Sequence, residues 1–479
     1  MNNYPNWVLK HKAKNIEIRY IKGNYYSYKI RNIWDSKKKR ARKITEKYLG
    51  KITPEGLTKP AKERALESVE NIVFKEFGAS DFILSSCSDI IEKIKANFGN
   101  NSNLIILMAI YRFIHNSRIK NLEFYYETSF LSETIRADLS PRLVGIKLRE
   151  IGMQRALTQK YLKNFMVASE YEIIDLTHIF SLSEGVISST IGYNGNHDYT
   201  SQIRMVLLFD PENHTPSYYR FVVGAIKDIS TLKLTIEESG ASNIILVGDK
   251  GFYSKNNVEE LEKLKIHYIL PLKRDSSLID YAKIQKGSDR VFDGYFLFER
   301  RAVWYYSYIK ESKRIVVYID ELLRTEEKKD FLSRIEEKKY EKTTEDYFEK
   351  ESIFGTISVI TDLEKSPKEL YELLKSRVEV EQVFDTYKNT LQADRMYMRD
   401  DYQLEGWMLI NFIALQLYYK IYTILLSKDL LRKNSPHDLI EHLLRIFKLR
   451  INNEWKVSEI PKKTKDLMEK LEINIPHNT

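Results

Sequence analysis

The sequence predicts an α/β core with a β-rich insertion, preceded by a β-hairpin and a helical region and followed by C-terminal helices. Between residues 171 and 272, apolar strands and helical segments follow one another in the order β-β-β-α-β-α-β. Residues 295–319 are typical instead of three aromatic and β-branched strands. A helix able to complete the core begins only at Ser366, with Pro367 at its first position and Glu369 closing a capping box.

We therefore expect six regions along the 479 residues, because this length exceeds what a single core supports. They are a basic β-hairpin arm (1–60), a helical domain (61–165), the first part of the core (166–274), the β-rich insertion (275–364), the core helix (365–395) and a C-terminal helical region (396–479). Residues 407–426 are apolar but interrupted by three polar side chains, which favours a buried helix over a membrane span. We expect no membrane partner.

Positive charge is concentrated near the N-terminus. The formal net charge is +9, yet Lys10–Lys51 alone carries +12, which leaves −3 for the rest of the chain. Such a segment is typical of an arm that meets a polyanion such as DNA. A solubilising run of charge is the alternative. The residues that we expect to contact DNA are Arg19, Lys37, Lys38, Lys39, Arg40, Arg42 and Lys43.

Several chemistries lack their usual sequence marks. The single cysteine, Cys87, excludes a disulfide framework or a Cys-rich metal site and indicates a reducing cytoplasm. The chain has no GxxxxGK[ST], GxGxxG, HExxH or CxxC motif. Nucleotide-driven and zinc-hydrolase reactions are therefore not indicated, and carboxylates remain as the candidate reactive groups.

Two aspartates stand at the ends of apolar strands. Asp175 follows the strand that begins at residue 171, and Asp249 follows Ile244–Val247. If the two strands are neighbours in a parallel sheet, both carboxylates emerge at one edge, where α/β proteins form their sites. Hard oxygen ligands of this kind suit Mg²⁺. The alternative for each aspartate is a cap on the following helix or turn.

The capped helix supplies a third carboxylate. Arg377, Glu381 and Lys388 lie within about 40° of one another on a helix with 100° per residue, so they share one polar stripe. An ordinary i,i+4 surface ion pair is the alternative for Arg377 and Glu381. Spacing alone does not choose Glu381 over Glu379 or Asp385 as a ligand.

The combination resembles a known family. The strand–helix order, with Asp at the first and fourth strands and Glu on a late helix, resembles the ribonuclease H-like catalytic core. The segment 374–381, followed by Lys388, is similar to the Y-R-E-K signature of DDE insertion-sequence transposases. Residues 247–253 and 174–177 resemble the second and first aspartate motifs of that family, and Tyr48-Leu49-Gly50-Lys51 is similar to a segment of one subgroup.

The resemblance implies roles for individual residues. Asp175, Asp249 and Glu381 would be catalytic and would bind two Mg²⁺ ions, with Mn²⁺ as a substitute. Arg377 and Lys388 would bind DNA phosphates. The signature tyrosine is replaced by Leu374, so its phosphate-side role would be lost or taken by Tyr371. Lys250 and Lys273, each just past a strand end, are further phosphate candidates, with solvated surface lysines as the alternative.

The function that the resemblance implies is a DNA transposase. It would bind the terminal inverted repeats of an insertion sequence and catalyse metal-dependent cleavage and strand transfer, as a homodimer in a synaptic complex with element ends and target DNA, associated with the nucleoid in the cytoplasm. Three alternatives remain open: a ribonuclease H-like structure-specific nuclease, a transposase-derived DNA-binding protein without catalysis, and a basic scaffold whose carboxylates are structural.

Overall fold

The computed structural model describes residues 4–35, 39–61, 63, 72–166, 171–181, 183, 185–193, 199–223, 230–241, 243–285, 291–337, 343–451 and 454–473. Lys37 and Lys38 of the predicted arm lie outside these residues. Tertiary contacts divide the chain into two units. Unit 1 comprises Met1–Lys75, Ile446–Glu459 and Ile475–Thr479, and unit 2 comprises Glu76–Arg445 and Ile460–Asn474.

Unit 1 contains two small sheets. Its elements are α1 (Asn6–Leu9), β1 (Ile16–Ile21), β2 (Asn24–Asp35), β3 (Arg40–Thr53), β4 (Gly56–Thr58), β5 (Val73–Glu76), β17 (Phe447–Ile451) and β18 (Glu454–Val457). The first sheet has the order β1-β2-β3-β4 and the second β18-β17-β5. Val8, Ile18 and Ile52 form a compact apolar cluster.

The hairpin expected at 16–30 is antiparallel β1 and β2, and β2 continues into a longer ribbon with β3. Ile33 is opposite Arg42 and Asn32 is opposite Lys43 in this ribbon. Paired residues of antiparallel strands share a face. Arg42 and Lys43 therefore point to opposite faces, and both are exposed.

The helices of unit 2 come before, between and after its strands in the sequence. They are α2 (Gly78–Ser86), α3 (Ser88–Phe98), α4 (Ser102–His115), α5 (Leu122–Thr128), α6 (Leu131–Thr134), α7 (Pro141–Met153), α8 (Arg155–Lys163), α9 (Ser230–Ser239), α10 (Lys255–Lys263), α11 (Ala282–Gln285), α12 (Glu321–Glu336), α13 (Thr344–Lys350), α14 (Pro367–Asp385), α15 (Asp401–Ser427), α16 (Pro436–Leu443) and α17 (Lys462–Lys470). Short 3₁₀ turns occupy Gly99–Asn101, Ile119–Asn121 and Glu351–Ile353.

Helices α7 and α15 approach closely because both present glycine at the contact. A side chain at Gly152 of α7 would overlap the carbonyl oxygen of Tyr402, and one at Gly406 of α15 would overlap that of Leu148. Within the described residues, α15 is the helix long and apolar enough to cross a membrane, and 67% of its most apolar window is buried in the protein. A mostly buried helix of this kind is common in the cores of large proteins.

A single mixed sheet of eleven strands organises unit 2. Its strands are β6 (Glu172–Ser181), β7 (Thr190–Tyr193), β8 (Tyr199–Asp210), β9 (Thr215–Val223), β10 (Ile244–Val247), β11 (His267–Pro271), β12 (Gly294–Phe298), β13 (Arg301–Lys310), β14 (Lys313–Asp320), β15 (Thr356–Thr361) and β16 (Arg395–Met396). The order is β12-β13-β14-β15-β11-β10-β6-β8-β7, with β9 on β8 and β16 on β6. The mixed α/β class expected from the sequence is confirmed.

Strands β12 to β15 continue the core sheet. β15 pairs in antiparallel fashion with β14 on one side and with β11 on the other. The β-rich segment at 275–364 is thus hydrogen-bonded into the sheet that carries Asp175. Strands β7 and β16 have no counterpart in the sequence prediction, since each is short and lacks a clear alternation of apolar residues.

Helix α14 begins as the sequence predicts. Ser366 caps it, and the backbone nitrogen of Ser366 donates to Glu369 Oε2 at 2.9 Å, which confirms the capping box. The α-helix ends at Asp385 and continues as a π-helical turn over Thr386–Thr390. This change of pitch alters the angular position of every residue beyond Asp385.

Candidate active site

Asp175 lies within β6, not at its end as predicted, and Asp249 lies two residues beyond the adjacent parallel strand β10. Ile174 of β6 is opposite Leu246 of β10, so Asp175 is level with Val247. The backbone nitrogen of Gly248 still donates to Ile269 on β11 at 3.1 Å, and Asp249 follows it. Because side chains alternate along a strand, this register puts Asp249 on the face that carries Asp175, about two residues further along.

The charges of the other two carboxylates both act on Asp175. Burial raises the pKa of Asp175 to about 6, the Arg377 charge opposes this rise, and the charges of Asp249 and Glu381 add to it. The backbone nitrogen of Leu176 donates to Asp175 Oδ1 at 2.8 Å. Asp249 and Glu381 are therefore near enough to Asp175 for their charges to act on it.

Arg377 occupies the space between two of these carboxylates. Its Nη1 lies 2.7 Å from Glu381 Oε1, and its Nε lies 3.8 Å from Asp175 Oδ2. Helix α14 packs against β6 and β10, which brings the guanidinium to the sheet. The buried Nε makes no hydrogen bond with any described residue. The pair expected at i,i+4 is therefore present, but it also reaches a third residue from a distant strand.

The competing carboxylates on α14 have other partners. Glu379 Oε2 lies 2.9 Å from His214 Nδ1, at the turn between β8 and β9. Asp385 Oδ1 accepts a hydrogen bond from Asn389 Nδ2 at 2.6 Å. Of the three acidic residues that spacing left open, Glu381 is the one whose charge reaches Asp175.

The donor chemistry of the site fits a hard divalent cation. Three carboxylates and no sulfur or imidazole ligand match the preference of Mg²⁺ or Mn²⁺ for oxygen. Among the described residues, no three Asp, Glu, His or Cys side chains yet stand together so as to hold one ion. Arg377 supplies positive charge between Asp175 and Glu381 instead, and ligation by both would require its guanidinium to turn aside.

Lys388 is not brought to the carboxylates. It lies in the π-helical turn, where its charged neighbour is Asp394, and burial lowers its pKa. The carbonyl oxygen of Asp394 accepts from the Phe180 backbone nitrogen at 2.9 Å, five residues along β6 from Asp175. The single polar stripe expected for Arg377, Glu381 and Lys388 assumed a continuous α-helix. The π-turn breaks that assumption.

Tyr371 is not at the site either. The residue is fully buried, and its hydroxyl donates to Asp320 Oδ2 at 2.7 Å. Its ring contacts Phe296 and Tyr318 of the β-rich segment. It is therefore a core residue, and the phosphate-side role suggested by the replacement of the signature tyrosine with Leu374 does not pass to it.

The two lysines past strand ends share the sheet edge with Asp249. Lys250 follows Asp249 directly, and Lys273 lies two residues beyond β11; both are exposed. The parallel pairing of β10 and β11 puts them at the same edge. Their position suits contact with a ligand that covers this edge.

The described arm residues differ in how free they are. Arg19 donates to Glu17 Oε2 at 2.7 Å and lies over the Tyr28 ring at 4.5 Å. Lys43 Nζ is 3.6 Å from Glu17 Oε1. Lys39, Arg40 and Arg42 are exposed around the end of the β2–β3 ribbon.

Sequence reasoning missed a cationic pocket in unit 2. It has a volume of about 640 Å³ and is lined in part by Arg112, Arg118, Lys120 and Arg395. These residues are up to 283 positions apart in the chain. No local motif joins them, so spacing could not have found them.

Comparisons with known proteins indicate the family of the chain. A sequence model described as the transposase DDE domain matches residues 173–417, which include Asp175, Asp249 and Glu381. Curated protein sequences give no significant match. A solved structure of a piggyBac transposase synaptic complex with hairpin DNA is similar, with 12% identity, a TM-score of 0.40 and coverage of 77% of each chain.

Proposed function

Because the chain belongs to the transposase DDE domain family, we propose that it is an insertion-sequence transposase of the Y-R-E-K group that binds terminal inverted repeats and cleaves and joins DNA. The observation that supports this proposal is that the charges of Asp249 and Glu381 both act on Asp175, with Arg377 between Asp175 and Glu381. The three acids come from distant parts of the chain, and Asp249 Oδ1 also accepts a hydrogen bond from the Gly251 backbone nitrogen at 2.8 Å.

The strand arrangement supports a ribonuclease H-like core. Strands β6, β8 and β9 are successively antiparallel, while β6, β10 and β11 are successively parallel. This arrangement puts the first strand in the middle of the core sheet, with Asp175 on it. Asp249 follows the fourth strand, and α14 with Glu381 packs across both.

We assign Asp175, Asp249 and Glu381 as ligands of divalent metal ions, two Mg²⁺ with Mn²⁺ able to replace them. Family members generally use divalent ions, and the oxygen-only donor set is consistent with this. When bound, such ions supply Lewis-acid activation of the nucleophile and stabilisation of the leaving oxygen during in-line displacement at phosphorus.

The protein's own residues would orient the substrate. The Glu381 side chain is 52% exposed, and Asp249 is exposed, so DNA can reach the site from solvent. Arg377, once turned from the carboxylates, would offer its planar fork to phosphate oxygens. Lys250 and Lys273 would add point charges along the same edge.

The first experiment substitutes each acid without changing its shape. Asp175→Asn, Asp249→Asn and Glu381→Gln should each reduce Mg²⁺-dependent cleavage of element-end DNA by at least about 100-fold, as does removal of one group that stabilises transition-state charge. DNA affinity should stay within a few-fold of wild type. Glu379→Gln and Asp385→Asn are matched controls on the same helix and should remain active. One fully active variant among the first three would remove that residue from the site.

A second experiment separates transposition from the alternatives. Donor DNA with a pre-cut 3′-OH end is incubated with target DNA and Mg²⁺, and joined product is measured. We expect strand transfer. Cleavage without joining would support a structure-specific nuclease, and binding without either reaction would support a DNA-binding protein without catalysis.

The arm is proposed to bind element ends through phosphate contacts. Removing Arg40 and Arg42 as a double alanine variant should lower the magnitude of the log–log salt slope of DNA binding by up to about 2, since each phosphate contact contributes roughly 0.9. The control removes two exposed charges of unit 2 with Arg432→Ala and Lys433→Ala. An unchanged slope in the arm variant would contradict this role.

Two copies of the chain are proposed to act together, because two element ends must be held during strand transfer. Light scattering of the chain with and without end DNA tests this. A complex with the mass of two chains and two DNA ends is expected, and a complex of a single chain with a single end at all concentrations would exclude it.

A further inference from the structure

The cationic pocket of unit 2 lies outside the carboxylate site and has a strong excess of positive charge. It is formed by the C-terminal end of α4, the 3₁₀ turn Ile119–Asn121, the chain around β16 and the N-terminal part of α15. Among its described lining residues, Asp394 is the single acid, against Arg112, Arg118, Lys120 and Arg395. Its volume of about 640 Å³ is within the usual range for ligand sites.

Arg112 is the unusual member of this set because it is buried. Its Nε donates to Asn411 Oδ1 at 2.8 Å and its Nη1 to the Ser117 carbonyl at 3.0 Å, while its Nη2 donates to the Leu391 carbonyl. The guanidinium also lies 5.1 Å from the centre of the Trp407 ring. Neutral dipoles therefore hold its position.

No described carboxylate forms an ion pair with Arg112, and burial lowers its pKa to about 10. A buried charge without an opposite charge is costly. Since the four neutral partners fix the guanidinium, an anion arriving in the pocket would meet a charge that needs no reorganisation. This arrangement points to an anionic ligand.

The one acid of the pocket is already shared. Asp394 Oδ2 lies 3.6 Å from Arg395 Nε, and its charge also acts on Lys388. Arg118 and Lys120 are exposed, and the Arg395 side chain is 65% exposed. These three cations are thus open to a ligand.

The sheet connects the pocket to the carboxylates. Arg395 on β16 is paired with Phe180 on β6, five residues from Asp175. At about 3.3 Å per residue this is roughly 16 Å along the strand. The separation corresponds to about five base-pair rises of 3.4 Å in one DNA strand. This separation is within the span of a few nucleotides of a DNA strand whose scissile phosphate lies at the carboxylates.

We propose that this pocket binds the phosphodiester backbone of the DNA strand that extends from the carboxylate site, through Arg118, Lys120 and Arg395. Arg112 supplies the fixed charge at its wall. The ring of Tyr397, 69% exposed at the same pocket, offers an apolar face to a sugar or base. The inference rests on the proposed function, because its ligand is the DNA on which the transposase acts.

The test removes the three exposed cations and leaves Arg112 in place, since its loss would disturb the buried hydrogen bonds. The variant Arg118→Ala/Lys120→Ala/Arg395→Ala is compared with Lys462→Ala/Lys463→Ala/Lys465→Ala, which removes three exposed charges of α17. Fluorescence anisotropy with labelled end DNA is measured between 50 and 200 mM salt. Thermal unfolding of both variants shows that each is folded.

We expect the pocket variant to reduce the magnitude of the salt slope by about 2–3, since each phosphate contact contributes roughly 0.9. Its affinity at the lower salt concentrations should fall at least about tenfold, and the α17 variant should keep the wild-type slope. Equal slopes in the two variants would overturn the proposal.

The outcome is separable from that of the proposed function. If Asp249→Asn abolishes cleavage while the pocket variant keeps the wild-type slope, the pocket inference fails alone. If the wild-type chain neither cleaves nor joins DNA, the proposed catalysis fails, whereas the comparison of salt slopes still decides whether the pocket binds DNA.

Discussion

Arg377 of α14 and Asp175 of β6 form an ion pair, with Nε and Oδ2 3.8 Å apart, across the interface between the helix and the sheet. The same guanidinium binds Glu381 one helical turn away. Its charge offsets the mutual repulsion of the two carboxylates. We therefore expect Arg377 to compete with any cation that binds there.

Removing this cation should increase the effect of metal on stability. Arg377→Ala should unfold at a lower temperature than wild type in EDTA, because Asp175 and Glu381 lose their counter-charge. Addition of MgCl₂ should raise the melting temperature of the variant more than that of wild type, since no guanidinium has to be displaced. Thermal unfolding with and without Mg²⁺ measures both effects.

Arg334→Ala is the control for this prediction, since Arg334 forms an exposed i,i+4 pair with Asp330. It should show the wild-type response to Mg²⁺. An equal response of Arg377→Ala and wild type would mean that Arg377 does not compete with the ion.

Tyr371→Phe should lower the free energy of unfolding without changing DNA cleavage. The variant loses the hydrogen bond to Asp320, a buried carboxylate that also caps α12 and lies 3.3 Å from Arg301 Nε. Hydrogen bonds to buried charged groups contribute about 1.5–3 kcal/mol. Urea unfolding should show a loss of about 2 kcal/mol, while DNA cleavage below the transition stays normal. Tyr295→Phe, at a ring that is 62% exposed, should change neither.

Glu172 makes stability depend on pH. Burial raises its pKa to about 8, with Ser217 Oγ donating to it at 2.7 Å and the Asp210 charge adding to the rise. The folded chain therefore keeps this proton up to about pH 8, whereas the unfolded chain loses it near its ordinary value of 4.5. The free energy of unfolding should thus fall as pH rises between these two values.

Glu172→Gln keeps the shape of the side chain and removes this loss. Its free energy of unfolding should match that of wild type near pH 4.5 and exceed it at pH 8 by roughly a few kcal/mol. The melting temperature should follow the same trend. Glu212→Gln changes an exposed carboxyl in the turn between β8 and β9. It should leave the pH dependence of the melting temperature unchanged. A wild-type profile in the Glu172 variant would show that this carboxyl ionises normally in the folded chain.

The glycine contact between α7 and α15 should tolerate no side chain. Ala normally stabilises a helix relative to Gly by about 1 kcal/mol. At Gly152 or Gly406 the added methyl group would instead force the two backbones apart, at a cost of at least about 3 kcal/mol. Gly145→Ala is the control on α7, since its neighbour is the flexible end of the Gln403 side chain. Urea unfolding should show a large loss of stability for the Gly152 and Gly406 variants and none of that size for Gly145→Ala.

Local signals predicted much of the core. The apolar runs before Asp175 and Asp249 indicated buried strands, and the Ser366–Glu369 capping box indicated where α14 begins. These features depend on residues that are close together in the sequence, so they could be read without the rest of the chain. The assignment of the three acids as metal ligands stays a prediction.

Other features depended on distant contacts. Tyr371 is buried because β12 and β14 cover it, and neither strand is near it in sequence. Lys388 is turned away by a π-helical turn whose hydrogen bond, from Leu391 to Thr386, has no known sequence signal. The cationic pocket draws on α4 and β16, which the fold alone brings together.

Strand β15 limits how the β-rich segment can move. Its backbone is held by β14 along one side and by β11 along the other. A hinge motion of this segment would break one of the two hydrogen-bonded ladders. The backbone groups exposed in this way would lose their partners, which costs free energy for each group left unpaired. We therefore expect the β-rich segment to move as one rigid body with the sheet that carries Asp175.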